Sequence, residues 1–426
     1  MMNRLSSPLI CLIWSSLSWA CSAHAETWLP PEPVVVHAIE SSPGWQAQLA
    51  QVQATQARAD QIRHIDNEWS TQASYGQRRN RAPWSDPAEA RTREWSLGIQ
   101  KATRWLGQGR AAEHASDLAG QLSEKQLEQA WLGQVKDLLS LHQNWLTAVL
   151  IERSWARQMA LTQQQLDSLG KRQQLGGAPR VDVMLMEATL AQTQAKLTEA
   201  RQQVRQASSL LHARFPNWAQ NPPADDASLM EASAPAPSQE ALDTWIEQHP
   251  DVQLAHAQAL FQEANAQQVQ AESRPAPTVG LNWAHDNSGR ERTWTVSVSV
   301  PLGGAYRQAA TRAAAMDEAS AQARYQQVMQ DVRQALETER TALSNGYEQW
   351  AQESLAHARL QAVVQSQSKG VTLGETAVSD LLVTQRQAAQ QEADLVQRYF
   401  QFKALQWTWL ADTQNPWRRV QPSTAN

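Results

Sequence analysis

The chain has 426 residues, a formal net charge of −5 and 19% charged residues. This balance does not suggest a nucleic-acid binder, and beyond the first 25 residues no apolar run reaches the ~20 residues of a membrane-crossing helix. Polarity comes largely from Gln, Ser and Thr, and Trp supplies 19 aromatics against 5 Tyr and 4 Phe.

Residues 1–25 read as a secretory signal peptide. Arg4 is the basic start, Leu9 to Ala20 the apolar core, and Ala23-His24-Ala25 the A-x-A cleavage site. Cleavage before a lipidated Cys21 fits less well, because bulky Trp19 stands where a small residue is expected. Both cysteines, Cys11 and Cys21, lie in this segment, so the exported chain is expected to hold no disulfide and no thiol chemistry. Pro30, Pro31 and Pro33 suggest an extended leader over 26–42.

Two structural repeats follow, 26–215 and 241–412, joined by a Pro/Ala/Ser-rich linker at 216–240 and trailed by a tail at 413–426. Each repeat offers a helix, a hairpin, a very long helix, a Gly-containing turn and a last helix. Trp95 matches Trp294, Gly176 matches Gly374, and Asp182 matches Asp380, all roughly 200 residues apart, so the chain is internally duplicated. Extra residues in the first repeat fall between its two strands, around "RRNRAPWSDPAEARTRE".

Four strands are predicted. "WSTQASYGQ" (69–77) places Trp69, Thr71, Ala73 and Tyr75 on one face. In "EWSLGIQKA" (94–102), Trp95, Leu97 and Ile99 alternate with small polar residues. "TVGLNWAH" (278–285) does the same with Val279, Leu281 and Trp283. In "TWTVSVSVPLGGAYRQ" (293–308), Trp294, Val296, Val298 and Val300 oppose Thr295, Ser297 and Ser299. Strands of this length suit a tilted crossing of a bilayer, apolar side to lipid and small polar side to a wet lumen. Two soluble hairpins packed on helices would share much of this pattern. Four strands cannot close a barrel, which needs about eight, and an open edge in lipid leaves backbone groups unpaired. If the strands span a membrane, several chains must share one barrel.

The long helices carry apolar faces. Val135, Leu138, Leu139, His142, Trp145 and Val149 mark the first; Val328, Val332, Leu336 and Leu343 mark the second, within a Pro-free stretch expected to be one helix from 305 to 369. A coiled-coil stalk is the plain reading of these helices alone.

Together these residues resemble the TolC family of outer-membrane efflux channels, most closely its CzcC-like members. The resemblance covers about residues 40–412. It rests on the two repeats, His249-Pro250 before an Ala-rich helix, "SRPAP" (273–277) leading into a strand, "VPLGG" (300–304) at a strand-to-helix swivel, and the G-x-x-x-x-x-D turns Gly176–Asp182 and Gly374–Asp380. It implies a mainly α fold with a small β part. Long coiled-coil helices would form an α-barrel, and each chain would give four strands to a trimeric 12-stranded outer-membrane β-barrel. It also implies a homotrimer in the outer membrane of a Gram-negative bacterium. That trimer would meet outer-membrane lipid, a periplasmic adaptor (membrane fusion) protein and an inner-membrane pump of the RND type. Gly176, Gly177, Asp182, Gly374 and Asp380 become periplasmic tip or gate residues. Trp95, Leu97, Ile99, Trp294, Val296, Val298 and Val300 become lipid-facing, and Pro301, Gly303 and Gly304 form the swivel. The sequence departs from double-Asp members of the family. Val383 stands one turn after Asp380, Leu185 follows Asp182, and the first repeat's swivel, "IQKATRWLGQG", has no proline.

No nucleophile elbow, P-loop or zinc-protease motif occurs, and Gly107-Gln108-Gly109 is read as a helix start. His249, His256 and His285 are expected to pack or lie at the surface rather than bind metal. The acids Asp182 and Asp380 suit a helix first turn, with or without a gating role. The expectation is a passive duct for small solutes, with no catalytic residue, cofactor or metal. An exit duct for type I protein secretion and a soluble periplasmic coiled-coil adaptor are the alternatives.

Overall fold

The computed structural model describes residues 31–64, 68–79, 91–105, 107–218, 241–286 and 289–417. The expected signal peptide, most of the linker, the loop at 80–90 and the end of the tail lie outside them. The elements are α1 (Glu32–Glu40), α2 (Pro43–His64), β1 (Trp69–Arg79), β2 (Arg91–Ala102), α3 (Gln108–Gln174), α4 (Arg180–Arg214), α5 (Leu242–Gln248), α6 (Pro250–Glu272), β3 (Thr278–Asp286), β4 (Glu291–Ser299), α7 (Ala305–Leu373) and α8 (Val378–Thr413). The order of the first six is repeated by the second six. At 1.5 Å per residue, α3 and α7 each run about 100 Å.

One expectation fails. The stretch 26–42 is not extended throughout, because Glu32–Glu40 form a helix. Pro31 takes extended backbone just before it, and Pro33 sits in the first turn, where its missing N–H would have had no intrahelical partner. Burial of Val35, Ala38 and Ile39 fastens this short helix to α3.

α3 is the spine. Its first part lies between α2 and α6: Ser116 donates to the Ala59 carbonyl at 2.9 Å, and Gln108 reaches the Ala271 carbonyl at 3.0 Å. Its second part lies between α4 and α8, with Arg201 against Glu152 and Arg157 against Glu392. The largest core cluster forms where these two sets meet. Leu138 and Val135 are fully enclosed there, Trp45 packs edge-on to Trp131, and Trp131 Nε1 donates to the Trp417 carbonyl at 2.7 Å.

α7 is the spine's counterpart in the second repeat, yet it is placed differently. Its helix neighbours within the chain are α6, α8 and the short α5. Twenty-three of the residues of α3 are buried, against six of α7: Ala314, Ala321, Val332, Leu336, Leu343 and Gly370. The sheet has the same asymmetry. Its order is β1-β2-β3-β4, antiparallel throughout, so β2 and β3 are paired on both sides while β1 and β4 are edges. Within one chain, one side ends in α2, β1 and α4, and the other in β4 and α7.

Candidate functional site

The register aligns the faces of all four strands. Thr71, Ile99, Leu281 and Val296 fall in one cross-strand row, and Ala73, Leu97, Trp283 and Trp294 in the next. Every candidate apolar strand residue except Val300, which lies just past β4, falls on this face. The face is not covered. Val296 is 73% exposed and Trp294 67%. Trp283 bridges Trp95, edge-on at 5.0 Å, and Trp294, stacked at 5.8 Å, so an aromatic row crosses three strands. Near the helices Trp69 has the Lys101 ammonium 5.2 Å from its ring.

The opposite face carries Ser70, Gln72, Ser74, Ser96, Gln100, Asn282, Thr295, Ser297 and two glycines that make room for them. A Cβ on Gly280 would stand 2.8 Å from the Ser297 hydroxyl, and one on Gly98 would stand 3.0 Å from Asn282 Oδ1. Both glycines therefore serve close approach within a polar surface.

The two strand-to-helix junctions differ. In the second repeat Pro301, Gly303 and Gly304 form an irregular link before α7, and both glycines face open space. Leu302 and Tyr306 beside them are exposed. In the first repeat side chains stitch the junction to the end of α6. Thr103 reaches the Pro277 carbonyl at 2.8 Å, Trp105 the Pro275 carbonyl at 2.8 Å, and Gln108 the Arg274 carbonyl at 2.8 Å. Gly107, at φ 105°, starts α3 in a conformation that favours glycine. Sequence reasoning missed these tethers, since their partners lie more than 160 residues away.

At the far end of the helices the two turns are copies. α3 closes on Gly176 (φ 77°) and α7 on Gly374 (φ 80°), both left-handed. Gly177 N–H returns to the Arg172 carbonyl and Glu375 N–H to the Gly370 carbonyl, each at 2.8 Å. Pro179 and Ala377 are extended N-caps, which makes Asp182 and Asp380 the third residue of α4 and of α8. There a carboxylate complements the positive end of the helix dipole. Arg172 donates to the Val371 carbonyl at 3.2 Å, and Leu169, Met186, Val378 and Leu382 pack together, so the two turns are joined. Leu175 (88% exposed), Leu373, Val181, Met184 and Val383 leave an apolar surface on this end.

Midway along the bundle lies a cavity of about 530 Å³ lined by α6 and α7, with Lys136 of α3 and Asp412 of α8 at its side. Lys136 Nζ is 2.5 Å from Asp412 Oδ1, and His249 Nε2 lies 3.5 Å from the same oxygen. His249, at the head of α6, also accepts from Asp251 N–H at 3.2 Å. Burial pushes the Glu339 carboxyl up to about 7, with Asp412 beside it adding to the effect. Burial presses on Asp412 as well, but the His249 hydrogen bond and the Lys136 ammonium outweigh it and hold that carboxyl below its usual value. His256 packs against Tyr325 at 5.1 Å. Among the described residues no three His, Cys, Asp or Glu side chains are grouped to hold a metal ion.

No family model and no curated protein matches the sequence. Solved structures do match the fold. CusC, whose structures concern transmembrane channel formation, aligns at a TM-score of 0.75 and 14% identity over 90% of this chain and 91% of its own. The CmeC outer-membrane channel of Campylobacter jejuni aligns at 0.73 and 13% over 98% and 95%. The outer-membrane protein VceC of Vibrio cholerae aligns at 0.70 and 14% over 89% and 95%. The chain has the TolC-type fold of these channels.

The raised Glu339 carboxyl sets a pH dependence. A group that holds its proton more tightly folded than unfolded stabilises the fold fully below the unfolded value of 4.5, and that stabilisation is lost as pH rises through about 7. Glu339→Gln, which stays neutral, is expected to match wild type at pH 4 and to melt at higher temperature than wild type at pH 8. Parallel melting curves for the two proteins across pH 4–8, followed by circular dichroism, would remove this assignment.

Proposed function

We propose that the chain is one subunit of a homotrimeric outer-membrane exit duct, conducting small solutes passively outward from an inner-membrane pump of the RND type and a periplasmic adaptor. One observation carries the reading: a four-stranded sheet with an uncovered apolar face, a polar opposite face and two unpaired edges. In water such a sheet invites aggregation. In lipid it is untenable alone, because each unpaired backbone group costs several kcal/mol. Pairing β1 of one copy with β4 of the next satisfies every edge once the ring closes, and three copies supply twelve strands.

The helices support the same ring. α3 lies between α2 and α6, then between α4 and α8, all from its own chain. Within the chain its repeat partner α7 has α6, α8 and the short α5 as neighbours. In a closed ring, α2 and α4 of the next copy would pack on α7 as well, giving both spines equivalent surroundings. The polar strand face would then line a wet lumen of hydroxyls and amides, which holds no chemistry and needs no cofactor. Heavy-metal cations and drugs are the solute classes the resemblance favours. The exposed apolar end around Leu175 and Leu373 offers the adaptor a docking surface. A duct for type I protein secretion would use the same architecture with a different pump. The soluble coiled-coil scaffold accounts poorly for an exposed row of Trp and Val.

The direct test is assembly and location. The detergent-solubilised protein is expected to have a trimer mass by light scattering, and the native protein to stay with the outer membrane in high salt and alkaline carbonate. A stable monomer released by carbonate would sink the shared barrel.

The faces can be tested separately. Val298→Arg puts a charge on the lipid side, where it costs about 2–4 kcal/mol at mid-bilayer, and should block trimer assembly. Ser297→Arg, on the wet side, should assemble. Equal yields of trimer from both would mean the faces are reversed or the membrane is absent.

At the mouth, three copies would bring up to six carboxylates from Asp182 and Asp380 toward the axis, a charged ring that attracts cations. Asn keeps most capping ability and removes the charge. Asp182→Asn with Asp380→Asn should lower cation preference and weaken divalent-ion block in planar-bilayer recordings, moderately because Val383 replaces a second acid. Unchanged selectivity and block in an intact trimer would leave helix capping as the whole role of these acids.

A further inference from the structure

A second cavity lies beside the charged cluster, where α2, α3, α5, α6 and the end of α8 converge. Its volume is about 400 Å³, within the roughly 300–1,000 Å³ of small-molecule sites. Trp45 of α2, Trp131 of α3 and Trp245 of α5 line it. Trp45 and Trp131 are buried edge-on to each other at 5.0 Å, and Trp245 lies edge-on to Trp409 at 5.5 Å. The Trp131 N–H is already given to the Trp417 carbonyl, so that indole offers a ligand only its π surface.

Every ionisable side chain in the lining is an acid: Glu124, Glu128 and Asp412. The larger cavity, which shares Asp412, adds Lys136, His249 and Arg324 to its acids. Lys125 pairs with Glu128 at 2.9 Å and Lys136 with Asp412 at 2.5 Å, both from outside the lining. Glu124 is exposed and has no ion-pair partner among the described residues. One negative charge is thus left uncompensated, and the acids are not grouped to hold a metal ion among the described residues. The lining also includes the carbonyl end of α8, where the helix dipole favours a cation. Just beyond it Asn415 takes a left-handed φ of 38°, as suits a residue closing a helix. That role accounts for its backbone but not for its side chain. Asn415 Oδ1 is enclosed, and no described residue donates to it.

We propose that this cavity binds a primary ammonium group carried on a short aliphatic chain. Glu124 supplies the counter-charge, the indoles attract a cation placed over their rings, and the unfilled Asn415 oxygen accepts one of the N–H groups. The chain would lie along Leu127 and the tryptophans. With one uncompensated carboxylate, the site fits a single positive charge. An anion is disfavoured by a lining without cations, and a neutral ligand leaves Glu124 unanswered. A quaternary ammonium would satisfy the indoles but has no N–H for Asn415. The site is formed within one chain and does not depend on the membrane reading above.

The test is calorimetric titration of the purified full-length protein at about 0.15 M salt, where charges more than ~8 Å apart are largely screened. Pentylammonium is compared with pentanol, which lacks the charge, and with pentyltrimethylammonium, which lacks the N–H donors. Wild type should bind pentylammonium saturably, about tenfold more tightly than pentanol and several-fold more tightly than the trimethyl form. Glu124→Gln, at an exposed position, should weaken pentylammonium binding about tenfold. Asn415→Gly, which suits the left-handed backbone and removes the acceptor, should bind the two ammonium ions alike. Glu247→Gln, at an exposed acid of α5 outside the lining, should bind as wild type does. Absence of saturable pentylammonium binding, or pentanol binding as tight, overturns the site. A Glu124→Gln protein that keeps wild-type affinity does the same. Pentyltrimethylammonium binding as tight as pentylammonium to wild type, or an Asn415→Gly protein that still prefers pentylammonium, overturns the choice of a primary amine held by Asn415.

Discussion

The unpaired edges of β1 and β4 are the constraint on which the structure turns. A backbone N–H or C=O can be satisfied by water, by its own chain or by another chain, and an apolar sheet face removes the first option where it meets lipid. The second is also closed, since the order β1-β2-β3-β4 uses both sides of β2 and β3 and leaves none for the edges. What remains is another chain, which in the proposed ring is a copy of the same one. The contact is then head-to-tail, β4 to β1, and such contacts either close into a ring or run on as a filament. Closure into a barrel requires the strands to tilt and their register to stagger by a fixed amount.

The long helices inherit this arrangement through the junctions. α3 follows β2, an inner strand, and is enclosed; α7 follows β4, an edge strand, and is not. The junctions differ accordingly. Thr103, Trp105 and Gln108 bind the first to backbone carbonyls of α6 and the stretch after it, all within one chain. The second relies on Arg307, which reaches the Glu272 carbonyl at 2.5 Å, and otherwise on Pro301 and two glycines in open space. A duplicated sequence has thus diverged where its two copies meet different surroundings, and stayed alike at the tips, where Gly176 and Gly374 close equivalent turns.

How much of this was legible in the sequence follows from the range of each interaction. Strand faces and left-handed turns are set by neighbours a few residues apart, so alternation at Trp294–Val298 and the Gly–Asp spacing of the tips expressed them directly. α1 was hidden because proline clusters read as extended chain, and only burial of Val35 and Ile39 against α3 makes a nine-residue helix worth forming. The charged cluster was illegible for a different reason. Lys136, Glu339 and Asp412 come from three separate helices and His249 from the cap of a fourth; the His249-Pro250 pair marks a helix start, and no local pattern points to a shared cluster. Only packing brings them together.

That cluster also bears on how the two spines are held. Lys136 belongs to α3, Glu339 to α7, His249 to the head of α6 and Asp412 to the end of α8, so a single charged group touches both repeats at mid-length. An ammonium and an imidazole around one carboxylate give a directional contact that apolar packing alone lacks, because a slide of α8 by one residue would move Asp412 about 1.5 Å along the axis and away from both partners. The apolar faces of long helices, by contrast, tolerate small slips. The cluster therefore fixes the axial register of α8 against α3 and α6 near the bundle's middle. Beyond it, Arg157–Glu392 and Arg201–Glu152 tie α3 to α8 and α4, and at the far end the tips at Gly176 and Gly374 are joined by Arg172 and a small apolar group.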